Sequence, residues 1–126
     1  MKKIIEAEGA PRAVGPYSHA VRVENLVFTS GQVPIDPGTG KLVEGDFDAQ
    51  VRRVMENLRT VLMASGTDFS GVVKATVFLD DLRNFGRFNK IYSEYFPHQP
   101  PARSAFQVAA LPLGAMVEVE MIAFVA

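Results

Sequence analysis

Val51, Val54, Met55, Leu58, Val61 and Leu62 recur at steps of three and four, while Arg52, Arg53, Glu56 and Arg59 fill the opposite side. This spacing predicts a helix with one apolar stripe. Asp46 is placed to cap its start and Gly66 to end it. A second helix is predicted over residues 84–95, burying Phe85, Phe88, Ile91, Tyr92 and Tyr95. Alternation of apolar and polar positions predicts strands over residues 21–29, 72–79, 102–109 and 117–124, the first bent near Glu24-Asn25. Asp36-Pro37-Gly38-Thr39-Gly40 is a turn by composition. A β-rich start followed by helix, strand, helix, strand, strand indicates an α+β fold, with residues 1–126 as a single domain.

The segment 72–79 bears on assembly. Val73, Ala75, Val77 and Leu79 occupy one side and Val72, Thr76 and Phe78 the other, with Lys74 the only charge. A strand apolar on both sides requires cover on both. Two helices cover one face of a small sheet, so the other face predicts a homo-oligomer.

Composition narrows the chemistry. Thirteen Lys and Arg stand against fourteen Asp and Glu, a formal charge of -1. Nothing here neutralises a run of phosphates, so nucleic-acid binding is not expected. There is no cysteine, which removes disulfides, thiolate catalysis and cysteine metal sites together. The two histidines, His19 and His98, are far apart, and no metal site is expected. Lys2 and Lys3 are followed only by Ile4 and Ile5 before Glu6, so no signal-peptide apolar region is read, and no apolar run is long enough to span a membrane. These features predict a cytoplasmic protein.

Few residues remain to carry a reaction. Arg103 follows Pro100-Pro101-Ala102 in a stretch otherwise small or apolar. Its side chain either snorkels to solvent or a structural carboxylate, or clamps a substrate carboxylate with its planar fork. Glu118 and Glu120 share one side of their strand, with Val117, Val119 and Met121 on the other. That side is either half-solvated surface or a site where one carboxylate handles protons or water. Periodicity does not separate the two. Tyr17, in a Gly15-Pro16 turn, either packs or offers its hydroxyl. Gly31 either relieves a bend or lets a backbone N–H approach a ligand. Asn89 reads as a surface or capping polar group, and His19 as a satisfied strand residue. Gly38-Thr39-Gly40-Lys41 lacks the upstream glycine and the Ser/Thr of a phosphate loop. The residues alone define a small-anion site with an arginine and a glutamate.

Read in order, Gly15-Pro16-Tyr17-Ser18, Ser30-Gly31-Gln32, Lys74-Ala75-Thr76-Val77-Phe78, Asn89, Tyr92, Pro101-Ala102-Arg103-Ser104 and Val117-Glu118-Val119-Glu120 resemble the reactive intermediate deaminase family (RidA/YjgF) over nearly the whole chain. The resemblance implies a chorismate mutase-like mixed sheet with two helices packed on one face, assembled as a homotrimeric barrel with sites between subunits. It implies cofactor-independent hydrolysis of 2-enamine and 2-imine acids, such as 2-aminoacrylate and 2-iminobutanoate, to 2-oxo acids and ammonia. Carried over, Arg103 grips the substrate carboxylate, and Glu118 acts on water or protons. Tyr17, Ser30 and the backbone of Gly31 complete the pocket, with Asn89 a further contact. Many relatives carry cysteine where this chain has Ala105; deamination needs no thiol. Two alternatives stay open: a small-carboxylate sensor, and RNA cleavage, against which the charge and the missing histidine pair argue.

Overall fold

The computed structural model describes residues Met1–Ala126. Six strands form one mixed sheet in the order β1-β2-β3-β6-β4-β5. They are β1 (Lys2–Ile5), β2 (Ala20–Val23), β3 (Leu26–Thr29), β4 (Val72–Leu79), β5 (Ala102–Gln107) and β6 (Val117–Phe124), with helices α1 (Phe47–Ala64) and α2 (Phe85–Tyr95). Only β4 and β5 pair in parallel, and α2 makes the crossover between them.

The predicted stripe of α1 is entirely buried. The Asp46 carboxylate accepts from the Ala49 N–H at 3.1 Å. At the other end Thr67 N–H bonds Leu62 C=O and Gly66 N–H bonds Met63 C=O, with Gly66 at φ +90, a Schellman closure that needs a left-handed residue. The stripe meets Val27, Ala75, Val77, Val117, Val119 and Phe88 of α2 in one core, so both helices lie on the same face of the sheet. No helix is long and apolar enough to cross a membrane.

Four departures from the expected elements have local causes. The edge strand β1 is an addition to the expected set. The 102–109 segment stops pairing at Gln107, where its partner β4 ends at Leu79. Asn84 belongs to a short 3-10 turn capped by Asp81, and α2 starts one residue later. The β4–β6 register slips between Val72 and Lys74, leaving Val73 as an extra residue. That bulge reverses the alternation, so Val72 is buried (6% exposed) and Val73 is not (45%).

The sheet face away from the helices is open and apolar. Phe28, Phe106 and Phe124 are 42%, 52% and 45% exposed. Phe78 and Phe106 stack at 6.3 Å across β4 and β5. Glu118 sits opposite Phe78 and Glu120 opposite Thr76 on this face. A folded monomer of 13.8 kDa exposes about 6,600 Å² by size scaling; this chain exposes 7164 Å².

Candidate functional site

The candidate residues divide into two clefts on opposite faces of the sheet. The first is built where β3 leaves its ladder. The pairing runs to Phe28↔Ile122 and resumes as a single bridge, Gln32↔Val119, with the register displaced by one residue. Thr29 Oγ1 accepts the Met121 N–H at the break. Ser30 and Gly31 are thereby lifted off the ladder and over Glu118. A β-carbon at Gly31 would overlap Glu118 Oε2 and lie 2.9 Å from its Cδ, so the carboxyl occupies the space a side chain would take. Tyr17, Ser30, Gly31 and Glu118 line this cleft of about 410 Å³, with Val14, Val33, Ile35, Pro112 and Leu113 as its apolar wall.

Hydrogen bonds fix the rim. Ser30 Oγ donates to Ser18 C=O at 2.6 Å, which leaves its lone pairs free to accept. Ser30 N–H bonds His19 C=O at 3.0 Å. His19 itself is buried, its Nδ1 accepting the Ala7 N–H and its Nε2 donating to Pro11 C=O, both at 2.8 Å. Both ring nitrogens are occupied, and the imidazole is a structural tie. Two buried amides of α1 hold the wall. Asn57 donates to Val33 C=O (3.3 Å) and Ile35 C=O (2.9 Å) and accepts from Arg53 Nε. Gln50 accepts the Met116 N–H at 2.9 Å, anchoring the 112–116 segment. Both were legible only as polar residues seven apart beside an apolar stripe.

Glu118 is half-buried and neither ion-paired nor hydrogen-bonded within the chain. Burial, and secondarily the Glu120 carboxylate on the same face, push its carboxyl above the ordinary range. The uncharged form therefore persists to higher pH than in an exposed glutamate, as suits a group that exchanges protons.

The second cleft, of about 440 Å³, is built around Arg103. In β5 Arg103 lies opposite the buried Ala75, so it points to the helix side and away from Glu118. Arg103 Nη1 donates to Asn89 Oδ1 at 2.7 Å. The guanidinium carbon lies 5.3, 6.0 and 5.1 Å from the ring centroids of Phe85, Phe88 and Tyr92. No carboxylate of the chain pairs with it. Tyr92, 5% exposed, lines the cleft, and its hydroxyl has no hydrogen-bond partner. Burial raises that phenol to about 12. No group of three His, Asp or Glu side chains is arranged to hold a metal ion.

A single chain thus brings Tyr17, Ser30, Gly31 and Glu118 together, brings Asn89 and Arg103 together, and keeps the two sets apart. Asn89 is a partner of Arg103; the residues alone suggest a surface or capping polar group and the resemblance a pocket contact.

The fold and the clefts define a small α+β protein with a divided small-molecule site: an unpaired cation on one face and an unpaired carboxyl on the other. Residues 7–125 match the family described as Endoribonuclease L-PSP, and the chain belongs to that family, the RidA/YjgF proteins. It is similar to Protein DfrA of Myxococcus xanthus, 53% identical over 97% of this chain and 95% of the relative. It is also similar to the 2-iminobutanoate/2-iminopropanoate deaminase of Mus musculus, 48% identical over 98% of this chain and 91% of that one. The crystal structure of Escherichia coli TdcF with bound serine superposes with a TM-score of 0.93 at 39% identity, covering 98% of this chain and 99% of that one.

Proposed function

We propose that the chain hydrolyses small 2-imino acids, and the enamines that tautomerise to them, to 2-oxo acids and ammonia, at sites formed between copies of itself. The observation that carries this reading is the pair of complementary clefts. A half-buried guanidinium without a counter-ion demands an anion, and a half-buried carboxyl without a cation is poised for proton exchange. Because they lie on opposite faces, a head-to-tail ring sets the Arg103 cleft of one copy against the Glu118 cleft of the next. The open phenylalanine-rich face and the excess exposed area support such a ring. The family resemblance supports three subunits. The deaminase name of the mouse relative and the serine held by the TdcF structure support a small amino-acid-like carboxylate as ligand.

In this mechanism Arg103 holds the substrate carboxylate through two N–H groups and presents the adjoining C=N carbon to one face. An enamine first takes a proton at its third carbon and becomes the imine. Glu118, in its protonated form, delivers a proton to the imine nitrogen, and the resulting carboxylate accepts one from the attacking water. The carbinolamine then collapses: Glu118 returns that proton to the nitrogen, the C–N bond breaks as ammonia leaves, and the hydroxyl gives its proton to the Glu118 carboxylate as the C=O of the 2-oxo acid forms. Ser30 Oγ and the Gly31 N–H, which bonds no group of the chain, bind the incoming water or the developing hydroxyl. Tyr17 closes the cleft. General acid–base assistance by one carboxyl is worth about 10²–10⁴-fold, enough for a bond that already hydrolyses in water. The reaction uses only soluble metabolites and fits the cytoplasm.

The family description favours RNA cleavage as the second reading. The charge of -1 and the structural engagement of His19 weigh against it. The test is one preparation assayed twice: for 2-iminobutanoate loss beside a threonine dehydratase, and for cleavage of a mixed-sequence RNA. Rapid imine loss with intact RNA is the expected result. Cleaved RNA without imine turnover overturns the proposal, and ligand binding without either activity selects the sensor reading.

A further inference from the structure

Phe85, Phe88, Asn89 and Tyr92 are spaced i, i+3, i+4, i+7 and so form one stripe on α2. That stripe faces Arg103 with three aromatic rings within 6.0 Å of the guanidinium carbon and one amide oxygen 2.7 Å from Nη1. From this geometry we infer that the stripe is a positioning device. Asn89 occupies Nη1 and the three rings crowd the guanidinium carbon, leaving the Nε/Nη2 edge as the one that receives a carboxylate. Asn89 and Tyr92 thus govern carboxylate affinity by acting through Arg103.

Three features of the structure support this assignment. Nε and Nη2 have no hydrogen-bond partner in the chain, whereas Nη1 has a short one. An arginine side chain has many rotamers, and fixing it before the ligand arrives removes that entropy from the binding step. The residue chosen to hold Nη1 is an amide. A carboxylate at the same place would neutralise the guanidinium internally and compete with the ligand, so a neutral acceptor aligns the cation while keeping it available. The aromatic faces do likewise, attracting the cation without cancelling its charge. The Tyr92 hydroxyl is dispensable under this assignment, since only the ring meets Arg103 and the O–H bonds nothing.

The inference rests on the carboxylate clamp proposed above, and the experiment separates the two. Steady-state kinetics on 2-iminobutanoate would be measured for Asn89→Asp, Tyr92→Leu, Tyr92→Phe and Arg103→Ala. Thermal melting would confirm that each is folded. Asn89→Asp adds an ion pair at a half-buried position and folds even where Tyr92→Leu does not. The expected result is a KM raised about 10- to 100-fold in Asn89→Asp and Tyr92→Leu, with kcat within about threefold of the parent, on the scale of one aligned charged contact. Tyr92→Phe should restore the parent KM. Unchanged KM in Asn89→Asp, beside a large loss in Arg103→Ala, overturns the positioning role and leaves the clamp standing. A raised KM in Tyr92→Phe also overturns it, because the hydroxyl would then be the active part. If Arg103→Ala itself keeps its KM, the clamp has failed and the positioning role falls with it.

Discussion

Replacing Arg103 by alanine removes the only unpaired cation in either cleft while disturbing little of the core. The guanidinium is half-buried and bonded to Asn89 alone. Two charge-assisted hydrogen bonds to a carboxylate are worth about 1.5–3 kcal/mol each, and partial exposure favours the lower end, giving about 3–4 kcal/mol. That corresponds to a loss of roughly 10²–10³ in kcat/KM. The contacts to Phe85, Phe88 and Tyr92 are worth about 0.5–1 kcal/mol each, but their loss is offset by releasing a charge from a site that desolvates it. The melting temperature should therefore move by only a few degrees. Arg103→Lys keeps the charge but lacks the fork and the stacking plane, so it should recover at most about tenfold of the loss. The assay is imine loss against substrate concentration, with sedimentation to verify assembly. A folded, assembled Arg103→Ala protein within threefold of the parent would rule out the carboxylate clamp.

The Glu118 cleft yields three more expectations. Because the folded carboxyl titrates above its unfolded value, the native state binds the extra proton, and stability falls as pH rises from the unfolded to the folded pKa. Glu118→Gln should thus be more thermostable than the parent at neutral pH, with the gain vanishing in acid. It should lose far more turnover than Glu120→Gln. Gly31→Ala sets a methyl where the Glu118 carboxyl sits. It should lower kcat with KM and melting temperature nearly unchanged, and an unaltered kcat would show that Glu118 need not occupy that place. Asn57→Leu strips the Ile35 C=O of its partner, while Val33 C=O keeps the Ile35 N–H. It should cost about 1–3 kcal/mol in urea unfolding, the cost of one buried group left unsatisfied.

How far such features are legible depends on what sets each residue's environment. α1, α2, β4 and β6 are readable because burial on one side imposes a period on the chain. β1 is not, because Lys2-Lys3-Ile4-Ile5 buries only Ile5 and carries no alternation. The sides of Val72 and Val73 were interchanged because a bulge depends on the partner strand, not on local composition. Glu118 and Glu120, alike by periodicity, are separated only in space: Gly31 and Ser30 lie over the first, while the second stays exposed. Arg103 was legible as a candidate clamp because it is one arginine among small residues. The stripe that holds it was not, because Phe85, Phe88 and Tyr92 also satisfy an ordinary amphipathic helix.

The proposed site takes its guanidinium from one copy and its carboxyl from another. It is tested by co-refolding two inactive variants, Arg103→Ala and Glu118→Gln, in equal amounts. In a three-membered head-to-tail ring every mixed assembly rebuilds one intact site, so activity should return to about a quarter of the parent's. A mixture that exchanges subunits yet stays as inactive as its components would rule out a site shared between copies.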